Sequence, residues 1–473
     1  MDRQRVDYSY MAIKAAAGCG KTYRIAESVK KVSDTKERRP CLILTHTHAG
    51  VDSLRKKLDL NGVSQSCYHV DTIAAWALRY ASSFPNTSGL EIIKPGDDDW
   101  ENVYLAASKL LKKSAARGVV PISYSKVYVD EYQDCTINQH ELILELGKLV
   151  PCRILGDPLQ GIFNIGGSTL IDWDTHIVPH FYIKEDLLKP WRWKDTPELG
   201  DWLSQARTNL ESGNPISLTS LPSSVIWKQL PTNGTAADIQ RDVCFRADND
   251  GTTIAIHNIN NQCYYLAQRL AGKFGCIEAI NCKELMDGAE KIYNSSGGAH
   301  ALEVIDFAKK CITQVATILS NAQKQAFYDN RTPSWNSNNR HKEQLESLVN
   351  VAQSESLIPV ISALKAISEN ANAKIFRKEL FYEMLRAIKE FDRGDYDSLR
   401  DAVWQIRNIT RRTGRKTGNH SIGTTLLVKG LEFDHSIILD ADGMDRKNLY
   451  VAMTRGAKTL TILSKQPVLD PSS

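Results

Sequence analysis

Apolar and polar positions along the first quarter of the chain alternate between two periods. A short apolar run at Met11, Ala12 and Ile13 is followed by a glycine-containing polar stretch and then by a helix-forming run from Tyr23 to about Lys31. A second apolar run, Cys41 to Leu44, precedes Thr45, His46, Thr47 and His48, after which Val51, Leu54, Arg55 and Leu58 fall at helical spacing. Tyr68 to Ile73 reads as a third strand and Ala74 to Tyr80 as an amphipathic helix. Strands alternating with helices in this way predict a parallel sheet with crossover helices.

From about Ser82 to Ile122 the character changes. Pro85, Pro95, Gly96 and three aspartates, Asp97, Asp98 and Asp99, lead into a helix bearing Val103, Leu105, Leu110 and Leu111. The aspartates read as a helix N-terminal cap, and the stretch as a small inserted subdomain. Strand signals resume at Val127–Val129 and Arg153–Leu155, and Gly213, Asn214, Pro215 and Pro222 mark a linker. A second α/β region opens with strands near Val225–Lys228 and Thr253–His257. It is interrupted by a mostly helical segment, in which Phe381, Met384, Leu385 and Ile388 sit at i, i+3, i+4 and i+7, and it returns with strands at Gly423–Val428, Ser436–Leu439 and Leu460–Leu463. The expected organisation is α/β: residues 1–81 and 123–205 form a first unit around a small insertion at 82–122. Residues 206–286 and 417–473 form a second unit around a helical insertion at 287–416.

Composition adds little to this picture. A chain of 473 residues is too long for one core. The formal charge of +4 is only mildly basic, so any nucleic-acid contact must come from a local groove rather than a global field. Ten cysteines without a CxxC pair read as reduced thiols. With no apolar signal core at the start and no apolar run of about 18 residues, the expectation is a cytoplasmic protein without a membrane partner.

The candidate chemistry begins at Ala15–Thr22, AAAGCGKT. Gly18 and Gly20 let the backbone turn so that N–H groups from Ala17 to Gly20, Cys19 included, face a polyphosphate at the start of a helix. Lys21 would reach the β- and γ-phosphates, and Thr22 would offer its hydroxyl to Mg²⁺. Ala15 stands where the general pattern has glycine. Gln4 could read an adenine edge through its amide, or be a solvated polar residue. Asp130 and Glu131 follow a buried strand, where doubly wound sheets hold ligands. Asp130 suits a Mg²⁺ and Glu131 a proton-accepting base toward attacking water. Gln160, after the next such strand, could sense a γ-phosphate. Arg192, between Trp191 and Trp193, could set a cation against phosphate with an indole stacked on a base. Arg407, Arg411, Arg412, Arg415 and Lys416 form a basic cluster, either a solvated face or a contact to DNA backbone.

The ordered series AAAGCGKT, THTHAG, DEYQD, GDPLQGIF, PWRW, KGLEF and YVAMTRGAK resembles the UvrD/Rep type of superfamily 1 DNA helicases over almost the whole chain. In its compactness the chain is similar to helicase subunits of anti-phage defence systems such as Gabija. The resemblance implies two RecA-like P-loop domains, each with an inserted subdomain, ATP and Mg²⁺ in the cleft between them, and single-stranded or tailed duplex DNA as partner. It places Gln4 on adenine, Lys21 and Thr22 on phosphates and Mg²⁺, Asp130 on Mg²⁺, Glu131 as base and Gln160 between γ-phosphate and DNA. Trp191 takes the adenine-stacking place, Arg192 and Arg455 stabilise the transferred phosphoryl group, and Glu432 lies near the ribose. The implied activity is ATP-driven 3′ to 5′ movement on single strands. Some positions depart from the pattern: His46 replaces an aromatic, Ile165, Gly166 and Gly167 replace an aromatic-Arg-Gly run after Phe163, and Leu426 replaces a histidine. His46 and Phe163 remain as stacking candidates, and the alternative reading is a DNA-dependent regulatory ATPase subunit beside a nuclease partner.

Overall fold

The computed structural model describes residues 10–35, 37–90, 95, 99–113, 117–162, 169–187, 189–232, 234–247, 250–279, 282–413 and 418–471. Six strands form the first sheet: β1 (Tyr10–Ala15), β2 (Cys41–Thr45), β3 (Tyr68–Thr72), β4 (Lys126–Val129), β5 (Cys152–Gly156) and β6 (Tyr182–Leu187). Their order is β3-β2-β4-β5-β1-β6, with every pairing parallel. All five residues of β2, Cys-Leu-Ile-Leu-Thr, are buried, as expected of a central strand covered by helices on both faces. Helix α1 (Lys21–Ser33) follows β1 directly, and the helix His48–Leu60 follows β2, its start capped by the Thr47 side chain, which accepts from the Gly50 N–H.

A two-residue strand, β7 (Ile216–Ser217), precedes the second sheet. That sheet comprises β8 (Val225–Gln229), β9 (Thr253–Ile256), β10 (Gly275–Cys276), β11 (His420–Gly423), β12 (Phe433–Ile438) and β13 (Gly456–Ser464), and β14 (Val468–Leu469) closes an antiparallel ribbon with β7. The second sheet is also parallel throughout, in the order β10-β11-β9-β12-β13-β8. The fold class is therefore the expected one: two RecA-like α/β units, each interrupted by a mainly helical insertion. The insertions differ in kind. Leu90, Val103, Tyr104 and Leu111 of the small one join the core of the first sheet, whereas Leu285, Val304, Phe307, Leu364, Met384 and Val403 of the large one belong to a core of their own.

Several expected boundaries move. The helix Pro197–Ser212 runs through the expected division at 205/206, and its apolar stripe, Leu199, Leu203, Ala206 and Leu210, packs with Ile254, Ile438 and Leu460 of the second unit. The crossing between units thus lies at Lys189–Trp193, and the Gly213–Pro222 segment is internal to the second unit. The helix Lys283–Asn294 likewise runs through the expected 286/287 division, with Cys282 and Leu285 already in the insertion's core. The expected strand Gly423–Val428 is the end of β11 followed by a short helix, Thr425–Val428. The apolar run there is ambiguous in period. Burial of Thr425 and Val428 with exposure of Leu426 resolves it as helical. β6 and β10 carried no clear strand signal. Asp99 takes the N-cap position of the helix Trp100–Leu111, and Asp97 and Asp98 lie outside the described residues.

Candidate nucleotide site

The loop between β1 and α1 is built on two left-handed glycines, Gly18 at φ +70° and Gly20 at φ +80°. Gly18 is also a close approach: a Cβ there would stand 2.9 Å from the Arg192 Cβ and 3.0 Å from the Trp193 ring. Ala15, where glycine was expected, ends β1 fully buried, so its methyl is accommodated by the sheet's packing. Lys21 is buried and its ammonium donates to the Ala15 carbonyl at 3.3 Å. The Cys19 side chain is buried too, which pushes its thiol up to about 11 and keeps it protonated.

β4 delivers the two acids. Glu131 sits at φ 54°, a strained conformation for a side chain of its size, and the turn it makes brings both carboxylates to the end of the strand. Thr22 Oγ1 donates to Asp130 Oδ2 at 3.3 Å, so the two groups expected around Mg²⁺ are adjacent hard oxygen donors, the kind that ion takes. The carboxyls titrate as a pair. Burial and the neighbouring Glu131 charge raise Asp130 to about 6. Burial opposes ionisation of Glu131 as well, but the charges of Lys21 and Lys429 and the hydrogen bond from Gln133 Nε2, at 2.6 Å, hold it down at about 2. An ionised Glu131 is the form a general base requires.

β5 delivers Asp157 and Gln160. Asp157 is fully buried; its N–H donates to Gln133 Oε1 at 2.9 Å, and Oδ2 accepts from Gln160 Nε2 at 2.7 Å. The cations come from across the cleft. Arg192 Nη1 donates to the Thr454 carbonyl at 2.5 Å and its Nη2 pairs with Glu432 at 2.5 Å. Arg455, 2% exposed, donates to Thr454 Oγ1 at 2.9 Å and to Gln160 Oε1 at 3.4 Å. Thr454 therefore holds both guanidinium groups in one place. Burial first, and then the charge of Arg192, push Arg455 down to about 10, against the opposing charges of Glu432 and Glu131. Trp191 is 55% exposed beside Gly20, with the Lys189 ammonium 4.2 Å from its ring centroid.

The expected nucleotide residues from Ala17 to Glu432 thus converge on one cleft. Gln4 and Phe163 lie outside the described residues. His46 Nε2 faces the Cys135 thiol at 3.6 Å; burial and the Lys429 charge push it down to about 4, so it is a neutral, inward-directed ring. Arg411 and Arg412 end the helix Leu399–Thr413, which packs against His48–Leu60 of the first unit. Arg407, counted with them as surface charge, is instead buried, pairing with Glu383 at 2.6 Å and donating to the Ala279 carbonyl. It faces inward because it lies one position from the buried stripe Ala402, Val403 and Ile406.

Four further residues complete the cleft. Lys429, half-buried as a residue with its side chain 5% exposed, donates to Asp134 and to the Gln160 carbonyl across the units. Arg207 holds Asp157 with two bonds of 2.9 Å, Tyr450 links Arg207 to the phosphate loop, and Gln133 joins Glu131 to Asp157. One signal for Arg207 was legible: it falls on the buried face set by Leu199, Leu203, Ala206 and Leu210.

Residues 3–165 match the family model of the AAA domain, which spans the first unit's loop and acids. The first unit is thus a nucleotide-binding P-loop domain. Among solved structures the chain is similar to an arterivirus nonstructural protein 10 (helicase), determined in complex with DNA. The two are 11% identical over 53% of this chain and 48% of that one, with a TM-score of 0.28, so the chain spans about half of that protein's length. No curated protein matches it.

Proposed function

We propose that this chain is an ATP hydrolase of the UvrD/Rep type that uses cleft opening and closing to move 3′ to 5′ on single-stranded DNA. The observation that carries this reading is the meeting of Arg192 and Arg455 at Thr454, opposite Lys21, Asp130 and Glu131 of the other unit. Phosphoryl transfer is catalysed chiefly by positioning and by charge set around the transferred group. Cations from one unit and a phosphate loop from the other make closure a condition of catalysis. Glu131, ionised, would take the proton of the attacking water, and Thr22 with Asp130 would hold Mg²⁺, which supplies charge neutralisation on the phosphates. Trp191 offers an exposed indole to a base next to the loop.

ATP turnover by the purified chain, with and without single-stranded DNA, and displacement of a 3′-tailed duplex in the same tubes test the proposal. Turnover that rises with DNA and is accompanied by displacement is expected; turnover indifferent to DNA overturns the motor. The inward His46 favours a second reading, in which DNA stimulates hydrolysis without displacement and the chain is the regulatory ATPase of a complex with a nuclease, as in Gabija-like defence systems.

A further inference from the structure

A chain of buried hydrogen bonds runs around the back of the cleft from Gln160, the residue that Arg455 reaches at 3.4 Å. Gln160 Nε2 donates to Asp157 Oδ2 at 2.7 Å, and Asp157 is held by Arg207 through both oxygens at 2.9 Å. Arg207 Nη1 also donates to the Tyr450 hydroxyl at 2.8 Å, and its guanidinium lies 5.1 Å from the centroid of that ring. The Tyr450 oxygen in turn accepts the N–H of Ala17, in the phosphate loop, at 3.2 Å. The Tyr450 oxygen thus accepts from both the second unit's arginine and the phosphate loop. Ala17, Gln160, Asp157, Arg207 and Tyr450 are all at least about nine-tenths buried, so each bond stands in place of one to water. The series starts at the residue expected to sense the γ-phosphate and ends on the loop expected to hold it. Its third and fourth members, Arg207 and Tyr450, belong to the core elements of the second unit.

We infer that Tyr450 and Arg207 are positioning residues for the phosphate loop, through which the second unit fixes the loop's shape and links it to Gln160. This rests on the nucleotide-hydrolase reading above. Losing the tyrosine hydroxyl leaves the Ala17 N–H as an unpaired buried donor, and a loop that moves to satisfy it no longer presents its N–H groups to phosphate in register. The ring and its packing survive in Tyr450→Phe, so the fold is retained. The chemical step is left in place because the hydroxyl and Arg207 hydrogen-bond to Ala17, Asp157 and each other rather than to Arg192, Arg455 or Glu131.

Tyr450→Phe is therefore expected to raise the KM for ATP and the Kd for a non-hydrolysable Mg·ATP analogue by about tenfold, the equivalent of one hydrogen bond, with kcat at saturating ATP close to that of the wild type. Arg207→Lys keeps the charge on Asp157 but not the second bond to Tyr450, and should shift both constants in the same direction by less. Unchanged KM and Kd in Tyr450→Phe overturn the inference, as does a fall in kcat exceeding the rise in KM, which would put the hydroxyl on the chemical step. Wild-type protein that neither binds the analogue nor hydrolyses ATP refutes the parent reading instead, and that result is separable because it appears before any variant is compared.

Discussion

The two walls of the cleft carry opposite charge. The first unit brings acids, Asp130, Glu131, Asp134 and Asp157, around the one cation of its loop, Lys21; the second brings Arg192, Arg207, Lys429 and Arg455 on elements packed in its own core. Apart from Glu432, which pairs with Arg192 inside the second wall, each wall is short of what the other has. Lys429 is therefore drawn onto Asp134 and Arg207 onto Asp157, and Arg455 reaches Gln160 across the gap. The difference teaches how closure is set. A polyphosphate on the loop adds anion where Arg192 and Arg455 repel each other, so nucleotide relieves a cost already present in the second wall while being bound mainly by the first.

This division predicts different kinetic phenotypes for the two walls. Arg455→Ala should lower kcat by about 10³-fold or more with a comparatively small change in KM, because an arginine that meets the phosphoryl group as charge develops acts on the transition state. Lys21→Ala should show itself first as weaker nucleotide binding, and Glu131→Gln should abolish turnover with binding retained. Steady-state hydrolysis together with equilibrium binding of a nucleotide analogue checks all three. A rise in KM with kcat intact in Arg455→Ala would erase the distinction between a binding wall and a catalytic one.

A smaller effect sharpens the same comparison from the side of stability. Asp130 titrates above its ordinary 3.8, at about 6, because it is buried beside an ionised Glu131. A carboxyl raised in the folded state contributes its full share of stability below the ordinary value and loses it as pH climbs through the raised one. At neutral pH the first wall therefore carries a penalty that a cation would remove. Asp130→Asn should stabilise the nucleotide-free protein at neutral pH by on the order of 1–3 kcal/mol and remove the Mg²⁺ dependence of nucleotide binding. Thermal denaturation without ligand and binding titrations with and without Mg²⁺ measure the two parts. A destabilised variant would show that the Thr22 hydrogen bond outweighs the repulsion.

The walls also differ in how far the sequence disclosed them. The first wall was legible because its chemistry sits in contiguous motifs: glycines, lysine and threonine in one loop, two acids at the end of one strand. Arg455 could be placed only through the resemblance, and Arg192 was locally legible only as a cation that could meet a phosphate, since nothing in PWRW or MTRG says that Thr454 will hold both. Arg207 and Arg407 show the harder case. Each is an arginine on an amphipathic helix, where the default expectation is a solvated face, and each is buried because a carboxylate or carbonyl more than twenty residues away receives it. The crossing between units was misplaced for the same reason. Gly213 to Pro222 has the composition of a linker, but the packing of Trp193 on Gly18 and its hydrogen bond to the Gly456 carbonyl put the crossing beside the phosphate loop. The helical period puts both arginines beside a buried stripe, but neither period nor composition encodes the long-range partners that receive them there or the place of the crossing.

The smallest effect expected concerns what stands behind the first wall. His140 is buried, bonds the Tyr132 hydroxyl at 2.8 Å through Nδ1, and has the His176 and His180 rings at centroid distances of 6.0 Å. Burial, and then the charges of His180 and His176, push it from its ordinary 6.5 down to about 4. A histidine depressed in the folded state contributes stability that is fully present above 6.5 and is lost as pH falls toward 4, because the unfolded chain takes the proton first. His46, also near 4, adds to this in the same unit. In the second unit His257 is lowered by burial too, but the Asp440 charge and a hydrogen bond from its ring to the Asn258 side chain offset part of that. These two histidines outweigh the raised Asp130 carboxyl of the same unit, which takes up a proton over the same range, so acid should weaken the first unit before the second. His140→Gln, which keeps a partner for Tyr132 while removing the titrating ring, should recover on the order of 1–3 kcal/mol of the stability lost between neutral pH and about pH 5. Hydrogen exchange of β4 and β5 amides against β9 and β12 amides at the two pH values reads each unit separately. Equal acid sensitivity of both sheets, or an unchanged loss in His140→Gln, would show that the histidine cluster does not distinguish them.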